Sequence, residues 1–424
     1  MKLFQKLLVA STAVGLFAPI AAQASETMNL EDMNSYGRKD SKSQRFDNKT
    51  FINEVSEELA TLKGRIDGLQ AQQNNFEAGS FSDTTTLDGK AVFTIGAFDS
   101  DPHTVTTEGD VVGMYSYTMN LNSSFTGDDN LYVRIKTGNA SGAAVGKGEA
   151  NTYISAAKGS SDALKVDKIW YTTPIGESNT IWVGPKIENY YMHATTPSIY
   201  KPVLKAFTLG GNAAAYGAST SPGAGWAYKA DNGFAVSSNF TTKSGNSTGL
   251  LTDEGATSWA TQVGYTQPRY SVSAIVNQKY NGWADTSYFT SDDGAVRPGD
   301  GSSTNIGLRA WWRPEETGSA TPSISVGYDT SETDATGNSN TTAYFVGLNW
   351  QDIFNADDRI GAAIGQPQKH EDDTVDPFLY EVYYEYKVND SVTLTPTVFG
   401  GTHKNSSDVE VDMFGYVLNT TFKF

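Results

Sequence analysis

The sequence predicts an all-β membrane protein: an antiparallel transmembrane β-barrel of about 16 strands preceded by a short coiled-coil helix. Three observations predict this fold class. The chain begins with an export signal, residues after 86 alternate between apolar and polar with a period of two, and long and short connections alternate between the apolar segments.

The composition excludes several other classes of protein. Of the 424 residues, 38% are apolar and 19% charged, which is below the usual levels of roughly 45–50% and 25%. No apolar run beyond the first 24 residues approaches the length of about 18 that a membrane-spanning helix needs. The 8 Trp, 22 Tyr and 20 Phe argue against disorder, and the net charge of −17 makes nucleic acid a poor partner.

Residues 1–24 have the pattern of a secretory signal peptide. Lys2 and Lys6 precede an apolar stretch from Leu7 to Ile20, and Ala22-Gln23-Ala24 forms an A-x-A site with cleavage expected after Ala24. The alternative, a retained membrane anchor, conflicts with an apolar stretch too short to span a bilayer. An exported chain without Cys has neither a disulfide framework nor a thiolate metal site.

Residues 25–50 form a polar, basic segment that cannot bury a core. A tail or linker is one interpretation, and a contact with an anionic cell-wall polymer is the other. Its basic residues are Arg38, Lys39, Lys42, Arg45 and Lys49.

Residues 51–78 carry a heptad pattern that predicts a periplasmic coiled-coil helix. Glu58 at g and the following e residue, Lys63, would attract each other between parallel helices, and so short a helix needs partners. One amphipathic helix packed on its own chain is the alternative. The predicted oligomerisation contacts are Ile52, Val55, Leu59, Leu62, Ile66 and Leu69.

Residues 88–424 are predicted to form the barrel. In the segment 131–136 branched apolar residues alternate with Tyr, Arg and Lys, as expected for strands with lipid on one side and water on the other. A soluble β-sandwich is the alternative. Strand parity places a set of charged residues on the water-facing, pore-lining side: Arg134, Lys136, Arg309, Arg313, Glu381 and Glu385.

The connections between these strands also fit an outer-membrane barrel. Long segments such as 139–162 and 279–303 alternate with turns as short as Asp231-Asn232, and an even number of strands returns both ends to the periplasm. A strand is expected at 211–230, although Gly210-Gly211 and Ser221-Pro222-Gly223 make its bounds uncertain.

The chain ends in an amphipathic strand with a terminal aromatic residue. Aromatic and apolar residues at even positions from Phe414 to Phe424 share one face. The pair Phe422 and Phe424 is similar to the signal read by the barrel assembly machinery; a soluble β protein that ends in Phe by chance is the alternative.

From about residue 50 onward, the sequence resembles the porins of the cyanobacterial outer membrane, which are related to the carbohydrate-selective porins. The resemblance implies a homotrimeric channel for small solutes and inorganic ions in the outer membrane. Many such porins carry an S-layer homology domain before the heptads, and residues 25–50 are too few for one. The resemblance rests, in order, on the heptad helix, Phe81-Ser82-Asp83-Thr84-Thr85-Thr86-Leu87-Asp88-Gly89, Ser123-Ser124-Phe125-Thr126-Gly127-Asp128-Asp129, Lys168-Ile169-Trp170-Tyr171-Thr172-Thr173-Pro174, Val183-Gly184-Pro185-Lys186 and Thr420-Thr421-Phe422-Lys423-Phe424.

Two classes of function compete, and a barrel enzyme is a distant third. A passive diffusion channel is favoured over a structural protein that anchors the outer membrane to the cell wall, and no motif supports a barrel enzyme. The four His, at 103, 193, 370 and 403, lack metal-ligand spacing, so we expect neither a metal nor a cofactor.

The long segment 186–210 is predicted to fold into the lumen as a constriction loop, because it follows the fifth strand, where trimeric porins usually place such a loop. An ordinary exposed loop is the alternative. If the pore-lining charges outweigh distant loop charges, the channel should weakly prefer anions. The predicted constriction residues are Lys186, Glu188, Tyr190, Tyr191, Lys201 and Lys205.

Overall fold

In a computed structural model, the chain is described over residues 80–82, 84–102, 109–141, 145, 153–211, 214–216, 219–243, 245–283, 301–334, 340–404 and 409–424. The predicted signal peptide, basic segment and coiled-coil helix lie outside these residues and stay predictions. Among the residues described, no helix is both long and apolar enough to cross a membrane.

Sixteen strands, β2 to β17, form a closed antiparallel barrel, as the sequence predicts, and the three-residue strand β1 belongs to the same sheet. Each strand pairs with its neighbours in the chain, and β17 closes the ring by pairing with β2. The strands are β1 Ser80–Ser82, β2 Thr85–Asp101, β3 Val112–Ser123, β4 Asn130–Gly138, β5 Lys165–Ile175, β6 Asn179–Ile187, β7 Ser221–Lys229, β8 Phe234–Thr242, β9 Thr257–Gln267, β10 Tyr270–Tyr280, β11 Ser303–Trp312, β12 Ser323–Thr333, β13 Thr341–Gln351, β14 Arg359–His370, β15 Phe378–Lys387, β16 Val392–Lys404 and β17 Glu410–Lys423.

Most large apolar side chains of the strands lie on the outer face, and the inner face carries mainly small or polar side chains together with some buried large apolar ones, such as Phe345, Leu379 and Phe399. In β9, Trp259, Val263 and Tyr265 are exposed outward, whereas Ala260 and Gln262 between them are completely buried. A period of two on a pleated strand produces this separation. The pattern is the reverse of a soluble barrel, whose apolar residues point inward.

The C-terminal residues close the barrel. The backbone N–H of Gly89 donates to the carbonyl of Phe424 (2.9 Å), and the N–H of Phe424 donates back to Gly89 (3.1 Å). The Phe422 ring lies 5.2 Å from that of Phe93, and the Phe424 ring stacks on Tyr117 at 5.7 Å. The chain end is therefore fixed to the first strands of the ring by both backbone and aromatic contacts.

The barrel has a loop end, where the long connections lie, and a turn end, where the short ones lie. In the turn between β3 and β4, Asp129 accepts hydrogen bonds from the backbone N–H of Phe125 and Thr126 (both 2.8 Å) and from the hydroxyls of Ser124 and Tyr171. The hydrogen bond from Thr126, supported by the others, holds the pKa of the Asp129 carboxyl well below its ordinary value. One carboxylate thus fixes the geometry of this turn.

The strand expected at 211–230 is shorter than predicted, because β7 spans only Ser221–Lys229. Leu209, Gly210 and Gly211 have φ angles of 58°, 72° and 105°, which turn the backbone out of an extended conformation. Residues 188–220 consequently form one long connection, which we call the inward loop.

Candidate functional site

The inward loop leaves the barrel wall at an irregularity in β6. Gly184 pairs with Gly223 and Ile187 with Ser221, so two residues, Pro185 and Lys186, interrupt the regular register. A Cβ atom on Gly184 would lie 2.4 Å from the Cβ of Trp170, so only Gly fits there. Such bulges bend a strand and redirect its side chains.

The first part of the loop is held by side chains of the inner wall. The Asn189 amide donates to the Asn239 carbonyl oxygen on β8 at 2.8 Å. The Thr195 backbone N–H donates to the side-chain oxygen of Gln262 on β9 (2.9 Å), and the Gln262 amide donates back to the Thr195 carbonyl (3.2 Å). Because Gln262 lies in the middle of its strand, the loop runs through the interior of the barrel.

Glu381 on β15 anchors the middle of the loop. Its carboxylate accepts hydrogen bonds from the Tyr200 hydroxyl (2.8 Å) and from the backbone N–H groups of Val203 (3.2 Å) and Leu204 (2.6 Å). Glu381 is completely buried, so the expectation that it faces the water of the lumen is wrong. The loop can bury this carboxylate because the three donors of the loop satisfy the hydrogen-bonding capacity of the carboxylate oxygens.

Arg309 on β11 has the same role at the far end of the loop. Its guanidinium forms a buried ion pair with Asp329 (2.7 Å), donates to the Leu209 carbonyl (2.9 Å) and lies 4.7 Å from the centre of the Tyr216 ring. With 3% exposure, Arg309 does not face open water either, contrary to expectation.

One side of the lumen is filled by an apolar cluster. The segment 153–163, which follows β4, joins the inward loop there: the Ser155 N–H donates to the Val203 carbonyl at 2.6 Å, and Ile154 bridges to Leu204. This cluster closes the interior along β13 to β17, β2 and β3. Its largest members include Ile154, Tyr200, Leu204, Phe207, Phe345, Leu379, Phe399 and Met413.

A set of basic side chains along β4 and β5, which we call the basic wall, lies near the Asp167 carboxylate of β5. Lys136, for example, interacts electrostatically with Arg134, Asp167 and two lysines from other segments. All of them except Lys168 are partly exposed. The basic wall consists of Arg134, Lys136, Lys158, Lys168 and Lys205.

Asp167 is the central counter-ion of this wall. Its carboxylate accepts from Nε of Arg134 at 2.7 Å and from Nζ of Lys158 at 2.8 Å. Lys158 comes from the segment 153–163, so Asp167 joins that segment to the barrel wall.

Lys168 connects the wall to the start of the inward loop. Its ammonium pairs with Glu188, donates to the Tyr190 hydroxyl (3.3 Å) and lies 4.5 Å from the centre of the Tyr191 ring. The Tyr191 hydroxyl accepts from Arg134 at 3.2 Å. Of the predicted constriction residues, Tyr191 thus contacts the predicted pore residue Arg134, and Glu188 and Tyr190 contact Lys168.

Other predicted site residues lie elsewhere. Arg313 follows the last residue of β11, at the turn end, where its Nε donates to the Pro268 carbonyl (2.7 Å). Glu385 pairs with Arg359 at 3.2 Å. Lys186 belongs to β6 and donates to the Val166 carbonyl (2.8 Å), whereas Lys201 is exposed within the inward loop.

Sequence reasoning missed Asp167, Lys158 and Lys168. Asp167 and Lys168 are adjacent, so alternation along a regular strand would place them on opposite faces. The structure brings both inward, because β5 has a bulge at this point: Arg134 pairs with Lys168 and Ile135 with Val166, which leaves Asp167 as the extra residue. The sequence contains no turn residue that signals this bulge.

No three metal-ligating side chains are grouped to hold a metal ion within the parts of the chain that the structure describes.

Comparison with solved structures shows the same fold. OmpT from the outer membrane of Vibrio cholerae superposes with a TM-score of 0.51 at 13% identity, covering 81% of this chain and 99% of that one. A mutant porin of Rh. blastica gives a TM-score of 0.51 at 11% identity, covering 80% of this chain and all of the other.

Sequence comparison finds two uncharacterized cyanobacterial relatives. A protein of Nostoc sp. is 26% identical over 422 residues, covering 88% of this chain and 71% of its own length. A protein of Synechocystis sp. is 26% identical over 137 residues, covering 32% of this chain and 25% of its own length.

The family model described as "Carbohydrate-selective porin, OprB family" matches residues 47–400, which is most of the chain. The 16-strand barrel is the architecture of such a channel. The chain therefore belongs to the OprB family of carbohydrate-selective porins and is an outer-membrane porin.

Proposed function

We propose that this porin is a passive diffusion channel for small solutes and inorganic ions with a weak preference for anions. The observation that carries the proposal is the basic wall, in which five basic side chains lie near two carboxylates, Asp167 and Glu188. Rings of Lys and Arg in a pore favour anions.

The inward loop supports a channel that is narrow and lies to one side. The apolar cluster fills the lumen along β13 to β17, β2 and β3, and the partly exposed charges lie along β4 and β5, which follow next in the ring. Solutes therefore pass along the basic wall. The loop is held by buried polar anchors at several strands, so it limits the size of solute that passes.

The net charge of −17 does not set the selectivity of this path. Exposed charges are screened beyond roughly 8–10 Å at physiological salt. The basic wall borders the path directly, whereas acidic residues such as Asp253, Glu254 and Asp372 lie in exposed loops. The nearer charges act more strongly on a permeating ion.

Swelling of proteoliposomes tests whether the barrel conducts. Purified protein in liposomes should admit neutral sugars, the solutes that the family description names, at rates that fall with sugar size and do not saturate. Protein-free liposomes are the control. Absence of swelling with correctly folded protein would favour the alternative, a structural protein that anchors the membrane to the cell wall.

The same proposal includes a homotrimer. A trimer form of OmpT of Vibrio cholerae has a similar fold, with a TM-score of 0.51 at 14% identity. A parallel coiled coil over residues 51–78 would hold three copies together on the periplasmic side. The exposed aromatic and aliphatic outer face fits contact with outer-membrane lipid, and the C-terminal pair Phe422 and Phe424 fits recognition by the barrel assembly machinery.

Three further parts of the proposal come from the sequence alone. Cleavage after Ala24 would release the mature chain, residues 25–50 would extend from it as a basic segment, and that segment could contact an anionic cell-wall polymer. The channel needs neither a cofactor nor an enzymatic reaction.

A further inference from the structure

We propose that Asp167 is the residue that sets the strength of anion selectivity: its carboxylate is a built-in competitor that occupies the basic wall and keeps permeating anions from binding there. The inference rests on the proposed anion preference of the channel. It names a residue that strand parity would place outside the lumen.

The bulge in β5 delivers the carboxylate to the wall. In the backbone register, Lys168 pairs with Arg134 and Val166 pairs with Ile135. Asp167 therefore has no residue opposite it in the backbone pairing with β4. Bulges are frequent where a strand must redirect a side chain. Here the redirected group is an acid placed among bases.

Asp167 uses the strongest donors of the wall. It accepts from the Arg134 guanidinium (Nε, 2.7 Å) and from the Lys158 ammonium at 2.8 Å, and it interacts electrostatically with Lys136 and Lys205. One carboxylate thereby offsets the attraction that several basic side chains exert on a permeating anion.

The same donors are within reach of a solute. The side chains of Arg134, Lys158 and Asp167 are 20%, 28% and 13% exposed, so the ion pairs are in contact with the water of the lumen. A small oxyanion offers oxygen acceptors of the same kind as the carboxylate. It would occupy this place if Asp167 were neutral.

A conducting site must hold an ion weakly enough to release it. With Asp167 ionised, the wall attracts anions without retaining them. Without that charge, Arg134 and Lys158 would be free to hold a divalent oxyanion, and the wall would change from an attractive path into a binding site.

Planar-bilayer recording of the Asp167→Asn variant tests this. Compared with the wild type, its reversal potential in a KCl gradient should move toward anions, and inorganic phosphate should block its chloride current at concentrations that leave the wild-type current unchanged. Asp162→Asn is the matched control, because it removes the same charge from an exposed residue of the neighbouring segment. An unchanged selectivity without phosphate block in Asp167→Asn would overturn the proposal.

A second variant separates charge from structure, because Asp167 also holds the segment 153–163 through Lys158. Lys158→Gln breaks the same ion pair but removes a cation, so its reversal potential should move away from anions without phosphate block. If both variants shift in the same direction, Asp167 acts structurally and the proposal is wrong. If Asp167→Asn does not assemble, an unchanged or increased anion preference in Lys158→Gln overturns it.

These results are distinct from failure of the proposed function. A cation-selective wild type would contradict the proposed anion preference. The direction of the two shifts relative to that wild type would still decide the role of Asp167.

Discussion

At the scale of single residues, two aspartates shape the turn end of the barrel in the same way. Asp129 accepts from two backbone N–H groups and from the hydroxyls of Ser124 and Tyr171. Asp358, between β13 and β14, accepts from the backbone N–H groups of residues 353–355 and from the Tyr384 hydroxyl at 2.9 Å. In both cases the hydroxyl of a Tyr from an adjoining hairpin is one of the hydrogen-bond donors to the carboxylate, so the aspartate links neighbouring turns.

The turn at Asp129 gives a pH-dependent prediction. Its carboxyl pKa is lowered in the folded protein by the hydrogen bond from the Thr126 N–H, so its contribution to stability is full above the unfolded pKa of about 4 and is lost as pH falls below it. Asp129→Asn should therefore lower the thermal unfolding temperature at pH 7 and have less effect below pH 4. Asp128→Asn, an exposed neighbour, is the control, and a difference from the wild type that does not vary with pH would contradict the prediction.

At the scale of elements, Glu381 determines how the inward loop constricts the lumen. Glu381→Ala removes the acceptor of the Tyr200 hydroxyl and of two backbone N–H groups, and each buried donor left without a partner costs about 1–3 kcal/mol. The middle of the loop should become mobile, which raises the single-channel conductance and its open-state noise in planar bilayers.

Glu385→Ala is the matched control on the same strand. It removes the same charge and breaks the ion pair with Arg359, but leaves the contacts of the inward loop in place. Equal conductance changes in the two variants would show that charge, and not the anchoring of the loop, is responsible.

The strands were predictable from sequence because each depends on a local alternation, as in β9, whose large apolar residues Trp259, Val263 and Tyr265 point outward. The loop and its anchors depend on contacts between residues distant in the chain. Parity identified Arg309 and Glu381 as inward-facing, yet the loop that buries them comes from residues 188–220. The bulge at Asp167 interrupts the alternation of inward and outward side chains along β5. The inward position of Asp167 could therefore not be predicted from the sequence.

At the scale of the whole molecule, net charge and local charge have opposite signs. The chain carries −17, while the basic wall groups five basic side chains with two carboxylates. Because screening limits electrostatic interactions to a short range, we expect the local charge to act more strongly on a permeating ion than the net charge does. Assembly into a homotrimer through residues 51–78 stays a prediction, and it would leave this wall inside each separate barrel.

The reversal potential of single wild-type channels in a tenfold KCl gradient tests most directly whether the basic wall sets the selectivity. We expect a small potential of the sign that indicates anion preference, a fraction of the limit of about 59 mV for an ideally selective channel with a monovalent ion. A potential of the opposite sign, which indicates cation preference, would show that the overall negative charge dominates and would contradict the proposed path along β4 and β5.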